Sequence, residues 1–275
     1  MMNVEFLPFI IIHSSFIIKT FSVHHSSFII KSMFSIFKKE ISTFFSSLIG
    51  YIVIAIFLIL TGLLMWIFPD TSLLNQNFAT LDQLFDLAPM IFTFLIPAIT
   101  MRTFAEEQQS GTIEFLTTKP LQEWEIILGK YLACLVLVAF ALLPTLIYYA
   151  TVYQLGSPKG NLDSGAIWGS YIGLLLLGGV FIAIGVFASS LTHNQIIAFL
   201  LAAFLCFFVY WGFDFLSRLP IFIGKGDDVV QMFGVDFHYR SISRGVVVLA
   251  DMVYYFSMIG LFLLLTQTAL ERRKW

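Results

Sequence analysis

Near its C-terminal end the sequence reads "FHYRSISRGVVVLADMVYY", which brings His238 close to Asp236, Arg240 and Asp251. An imidazole beside carboxylates is the raw material of general acid-base chemistry. The same run is amphipathic, however, and reads more simply as an interfacial helix on the outer membrane surface. His13 and His25 each open the phrase "HSSFIIK", repeated at a spacing of twelve. As a pair they would be candidate metal ligands, but that period matches no packing unit. Residues 1–32 are therefore expected to be an upstream extension, with the functional chain starting at Met33. Cys134 and Cys206 lie inside apolar runs without a CxxC spacing, which argues against a disulfide framework or a zinc site. There is no G-x-x-x-x-G-K-[ST] loop to cradle ATP phosphates. The expectation is no catalytic residue, no metal site and no cofactor-binding site in this chain.

What stands out is a concentration of charge. Five of the eight glutamates fall between Arg102 and Lys130, in "RTFAEEQQSGTIEFLTTKPLQEWEIILGK". Within it, Ser110 or Gly111 could cap a short helix, Glu114 would face the positive end of its dipole, and Pro120 would end it. Ile113 and Leu116, three apart, would form a small apolar ridge suited to a partner's groove. From the residues alone, a solvated loop with one helical turn is an equal reading.

The elements that must hold this segment are membrane spans. The chain is 59% hydrophobic and 12% charged, with a mean hydropathy of +0.90, more apolar surface than a water-soluble domain can cover. The fold class expected is all-α, a polytopic membrane protein with six transmembrane helices over about 48–68, 84–101, 131–153, 166–191, 196–216 and 250–270. Before the first span, Phe34, Phe37, Ile41, Phe44, Phe45 and Leu48 share a face, with Lys38, Lys39 and Glu40 on another, as in an interfacial amphipathic helix. Lys38 and Lys39, then Arg102, Lys119 and Lys130, then Arg272, Arg273 and Lys274 put both termini in the cytoplasm of a bacterial inner membrane. Only the connection 214–251, with four basic residues, runs against that pattern. No basic face is assembled for nucleic acid. The apolar runs themselves, 48–68, 87–101, 131–153, 166–191, 196–213 and 252–270, carry no Asp, Glu, Lys or Arg that could relay ions, so energy must come from elsewhere.

The pattern Glu107, Gly111-Thr112, Glu114, Leu116, Pro120, then Gly129-Lys130 leading into the next span, resembles the inner-loop motif of type-2 ATP-binding-cassette permeases. The interfacial helix, six spans and long outer connection are also similar to that family. The stretches "TMRTFAEEQQSGTIEFLTTKPLQEWEIILGKY" and "YRSISRGVVVLADMVYY" resemble its gliding-motility branch, the GldF subunits. The resemblance implies that Gly111–Thr118, with Thr112 and Ile113 in it, is a cytoplasmic coupling helix between spans 2 and 3. It further implies a separate ATPase subunit that binds ATP and Mg, a second permease chain in a homodimer or heterodimer, and an auxiliary G-type gliding subunit. ATP-driven transport of an unknown substance is then the expected function, and a membrane scaffold for motility or secretion machinery that moves no solute is the alternative.

Overall fold

The computed structural model describes residues 32–75, 79–112, 122–222, 224, 226–246 and 248–272. The "HSSFIIK" repeats and the expected helix beyond Thr112 lie outside these residues. All regular structure among the described residues is helical. Helix α1 covers 32–46, followed by α2 (Leu48–Trp66), α3 (Asp82–Thr100), α4 (Arg102–Gln109), α5 (Glu123–Leu142) and α6 (Leu146–Leu155). Then come α7 (Ser164–Leu191), α8 (Gln195–Phe207), α9 (Phe213–Ser217), α10 (Asp227–Met232), α11 (Val235–Ile242) and α12 (Leu249–Glu271). Joined across short breaks, these give six helices long and apolar enough to cross a membrane: 48–66, 82–109, 123–155, 164–191, 195–217 and 249–271.

Helix α2 shows how residue spacing sets the arrangement. Val53, Phe57, Thr61 and Met65, four apart, form the buried stripe, while Ile52, Ile56, Ile59 and Leu63 stay exposed as a lipid-facing side would. Thr61 is tolerated inside because its hydroxyl donates to the Phe57 carbonyl at 2.8 Å. Helix α7 is the hub. It packs against α3, α5, α8 and α12, and it is buried on nearly all sides from Ile167 to Ser190. Asp163 caps its first turn by accepting from the Ala166 N–H at 3.0 Å, and Asn194 does the same for α8 at Ile196, 2.8 Å.

Three features differ from the sequence expectation. First, α3 begins at Asp82, two residues before the expected start, and runs unbroken through both Pro89 and Pro97. A proline removes the donor for the carbonyl four residues earlier. For Pro89 that carbonyl is Phe85, and Tyr239 of α11 supplies the missing donor, its hydroxyl lying 2.8 Å from Phe85 O. Second, the run around His238 is two helices rather than one, because the chain turns between Ile242 and Leu249. Third, the third span begins at Glu123, eight residues before the apolar run that Tyr131 opens. Its helix carries Glu125 and Lys130 into the protein because both find partners there.

The Tyr239 bond gives a direct test. Tyr239→Phe leaves a buried carbonyl without a donor and is expected to cost about 1–2 kcal/mol, read as a lower unfolding temperature in detergent. Burial pushes this phenol well above its ordinary 10. Its contribution is therefore complete below pH 10 and lost as the pH climbs beyond that value. The variant should show a shallower decline in stability above pH 10 than the parent.

Candidate coupling site

At one end of the bundle α1, α4 and the start of α5 converge on Lys130. Its side chain is 2% exposed, and its ammonium lies 2.9 Å from Glu40 Oε1 and 3.1 Å from Glu107 Oε2. It also donates to the Thr103 carbonyl at 2.7 Å and sits 5.2 Å from the centre of the Phe104 ring. Lys39 reaches the same Glu107 from the solvent side at 3.0 Å. Two ammonium groups and two carboxylates thus form a neutral quartet at the mouth of the bundle. A buried lysine is costly unless its charge is matched and its donors are used. Here the charge is matched, and the ammonium donates to Glu40 and to the Thr103 carbonyl.

Each member is placed by its helix. Ile36, Glu40 and Phe44 recur every four residues and form the buried stripe of α1. Glu40 therefore belongs to the inward face, not to the polar face that the sequence expectation assigned to it. Thr103, Phe104 and Glu107 share one side of α4, where residues three and four apart lie above one another. Burial pulls the Lys39 ammonium down, but the hydrogen bond it gives Glu107, and the charges of Glu107, Glu40 and Glu106, outweigh this and hold it above its ordinary 10.5. Arg102 pairs with Glu106 at 3.1 Å along α4. Beside the quartet is a cavity of about 290 Å³, lined among others by Lys39, Arg102, Glu106, Ser110 and Thr112.

Helix α4 leads straight to the connection between the second and third spans. It ends at Ser110, whose N–H reaches the Glu106 carbonyl at 3.0 Å, and Gly111 follows with φ +69°. This is a helix stop, since the left-handed conformation after the last turn favours glycine. Ser110 and Gly111 therefore close α4, and the helix that one of them is expected to cap lies outside the described residues. Thr112 is held against the same turn, its hydroxyl 2.9 Å from that of Ser110. Of the expected site residues, the structure describes Glu107, Gly111 and Thr112, while Ile113, Glu114, Leu116 and Pro120 lie outside the described residues. Glu107 faces inward to Lys130. Lys130, Glu40 and Lys39 were legible as residues in the sequence, but only the Ile36–Glu40–Phe44 spacing hinted that one of them turns inward.

At the opposite end His238 is placed between two acceptors. Its Nδ1 is 2.7 Å from Asp251 Oδ1, its Nε2 is 3.0 Å from the Met232 carbonyl, and its ring stacks on Tyr254 with centroids 3.9 Å apart. Both ring nitrogens are occupied by structural contacts that tie α10, α11 and α12 together. The imidazole has no nitrogen to spare for proton transfer to a substrate.

The arrangement at Lys130 is ionic and mechanical: it fastens an amphipathic helix, a span extension and the start of the next span around one buried charge. The family model of ABC-2 family transporter proteins matches residues 34–218, from the start of α1 to just past α9 and about two thirds of the chain. The chain belongs to the ABC-2 transporter family. No curated protein matches it. As an ABC-2 permease it is a multi-pass membrane subunit of an ABC transporter and not itself the ATPase. The family implies an ATPase partner and paired permeases.

Proposed function

We propose that this ABC-2 permease receives work from its ATPase at the connection between α4 and α5, with Gly111, Thr112, Ile113, Glu114, Leu116 and Pro120 forming the docking element. The observation that supports this is the fastening of α4 to α1 and α5 through Lys130. A push on the connection would move a locked block of three helices instead of bending a loose loop. Both termini are then cytoplasmic, and ATP with Mg is bound by the partner. The likeness of residues 100–131 and 239–255 to gliding-motility permeases favours service in that machinery of a bacterial inner membrane, with a G-type auxiliary subunit and a second permease chain.

The test uses the complex purified with its ATPase. Gly111→Ala forces a side chain into the left-handed conformation, where nothing lies within 4 Å to clash, so its effect is conformational. Glu114→Gln removes a charge. Each is expected to lower the ATP turnover of the complex about fivefold or more, the lower range of ordinary coupling free energies, while the chain still inserts and folds. Unchanged turnover and assembly in both variants would end the coupling role. Reaction of a cysteine at Gly111 with a membrane-impermeant reagent in intact cells would overturn the sidedness.

A further inference from the structure

The α-helical run of the second span stops at Thr100 and resumes at Arg102. At this break the hydroxyl of Ser189, from the last turn of α7, reaches between the two pieces. It accepts from the N–H groups of Phe104 and Ala105, both at 3.0 Å, and donates to the Met101 carbonyl at 2.8 Å. A serine hydroxyl has one donor and two acceptor positions, and all three are used. The neighbouring Thr100 carbonyl takes the Thr103 hydroxyl at 2.8 Å. One turn further along α4, the Gln108 amide donates to the Ser190 carbonyl at 3.1 Å. Side chains that insert at a helix break set where and how the helix bends.

What permits the insertion lies one turn earlier on α7. At Gly185 a Cβ would stand 1.9 Å from Thr100 Oγ1, so α3 and α7 touch backbone to side chain there. Four residues on, the same face of α7 presents Ser189 to the break. Ser189 is 0% exposed, as is Ala105, and Phe104 is 1% exposed, so no water competes for these bonds. Helix α4 is thus bonded to α7 near both its ends, at the point where α3 leaves off.

We infer that Ser189 is a positioning residue that makes α4 and the end of α7 one mechanical unit, so that a displacement of the inner connection is delivered to the central helix where α3 ends. This rests on the coupling role proposed above.

The two ideas separate by experiment. Cys134 and Cys206 are buried, so nitroxides can be directed to cysteines introduced at exposed positions. The pair Gln109 and His193 spans the α4–α7 joint, and the pair Met90 and Gln109 spans the break in the second span. In lipid nanodiscs, diluted with unlabelled chain, the joint pair is expected to give one narrow distance. Ser189→Ala broadens it, and Ser189→Thr, which keeps the hydroxyl, restores it. With the ATPase bound, passing from the nucleotide-free to the ATP-vanadate state should shift the break pair and leave the joint pair still. In Ser189→Ala the joint pair becomes nucleotide-dependent. A joint pair as narrow in Ser189→Ala as in the parent, or one that shifts with nucleotide in the parent, overturns the inference. If Ser189→Ala broadens the joint pair but neither pair of the parent responds to nucleotide, the joint stands and the coupling role falls.

Discussion

Lys130→Ala is expected to be among the most damaging single substitutions in the chain, costing about 3–5 kcal/mol by the general experience of removing one partner from a buried ion pair. The reason is what it leaves behind. Glu40 and Glu107 each lie within 3.1 Å of the Lys130 ammonium, so without it the one cation paired with these two carboxylates, among the described residues, is Lys39. The Thr103 carbonyl loses its donor as well. A lower unfolding temperature and reduced recovery from membranes are the readouts. The physical cause is separable from mere loss of packing. Lys130→Met combined with Glu40→Gln removes one charge of each sign, and it should be more stable than Lys130→Met alone, by a coupling of about 0.5–3 kcal/mol. If the double variant is no better than the single, the quartet is not what holds this end together.

Gly185→Ala comes next, at about 1–3 kcal/mol, the usual penalty of adding a methyl where none fits. The added carbon would lie 1.9 Å from Thr100 Oγ1 and 2.7 Å from Thr100 Cβ. Thr100 cannot easily turn away, because its hydroxyl donates to the Ile96 carbonyl at 2.9 Å. The helices must separate, and that also draws Ser189 out of its bonds. Two measurements follow: a reduced unfolding temperature, and a broadened Gln109–His193 distance like that of Ser189→Ala. Thr100→Ala in the same chain removes the closest atom and should recover part of both effects. A Gly185→Ala variant that melts with the parent and keeps the narrow distance would show that the two helices have slack.

The six spans were legible because lipid demands long apolar helices, and runs such as Leu48–Trp66 carry that signal in every residue. The break at Met101 was not, since nothing in "IPAITMRTF" announces that a hydroxyl 88 residues away will complete it. The remedy for Pro89 was equally hidden: Tyr239 lies 154 residues from the carbonyl it serves. At the site, the clustered glutamates drew attention to the segment, but nothing in their spacing announced that Glu107 would turn inward. Glu107 and Glu40 turn inward because Lys130 is there, and Lys130 can be there because they do. Such mutual solutions are settled by tertiary pairing, beyond what a residue's own type or spacing reveals. Ser189 carried no more signal than any small residue late in a span.

The placement of α7 has a consequence for biogenesis. Its neighbours include α12, made after it, and α3, made well before. A helix buried on nearly all sides has no finished surface to show the bilayer until its later neighbours arrive. The hub therefore waits, partly clad in lipid, until α12 has been made some sixty residues later, and that helix covers its remaining side.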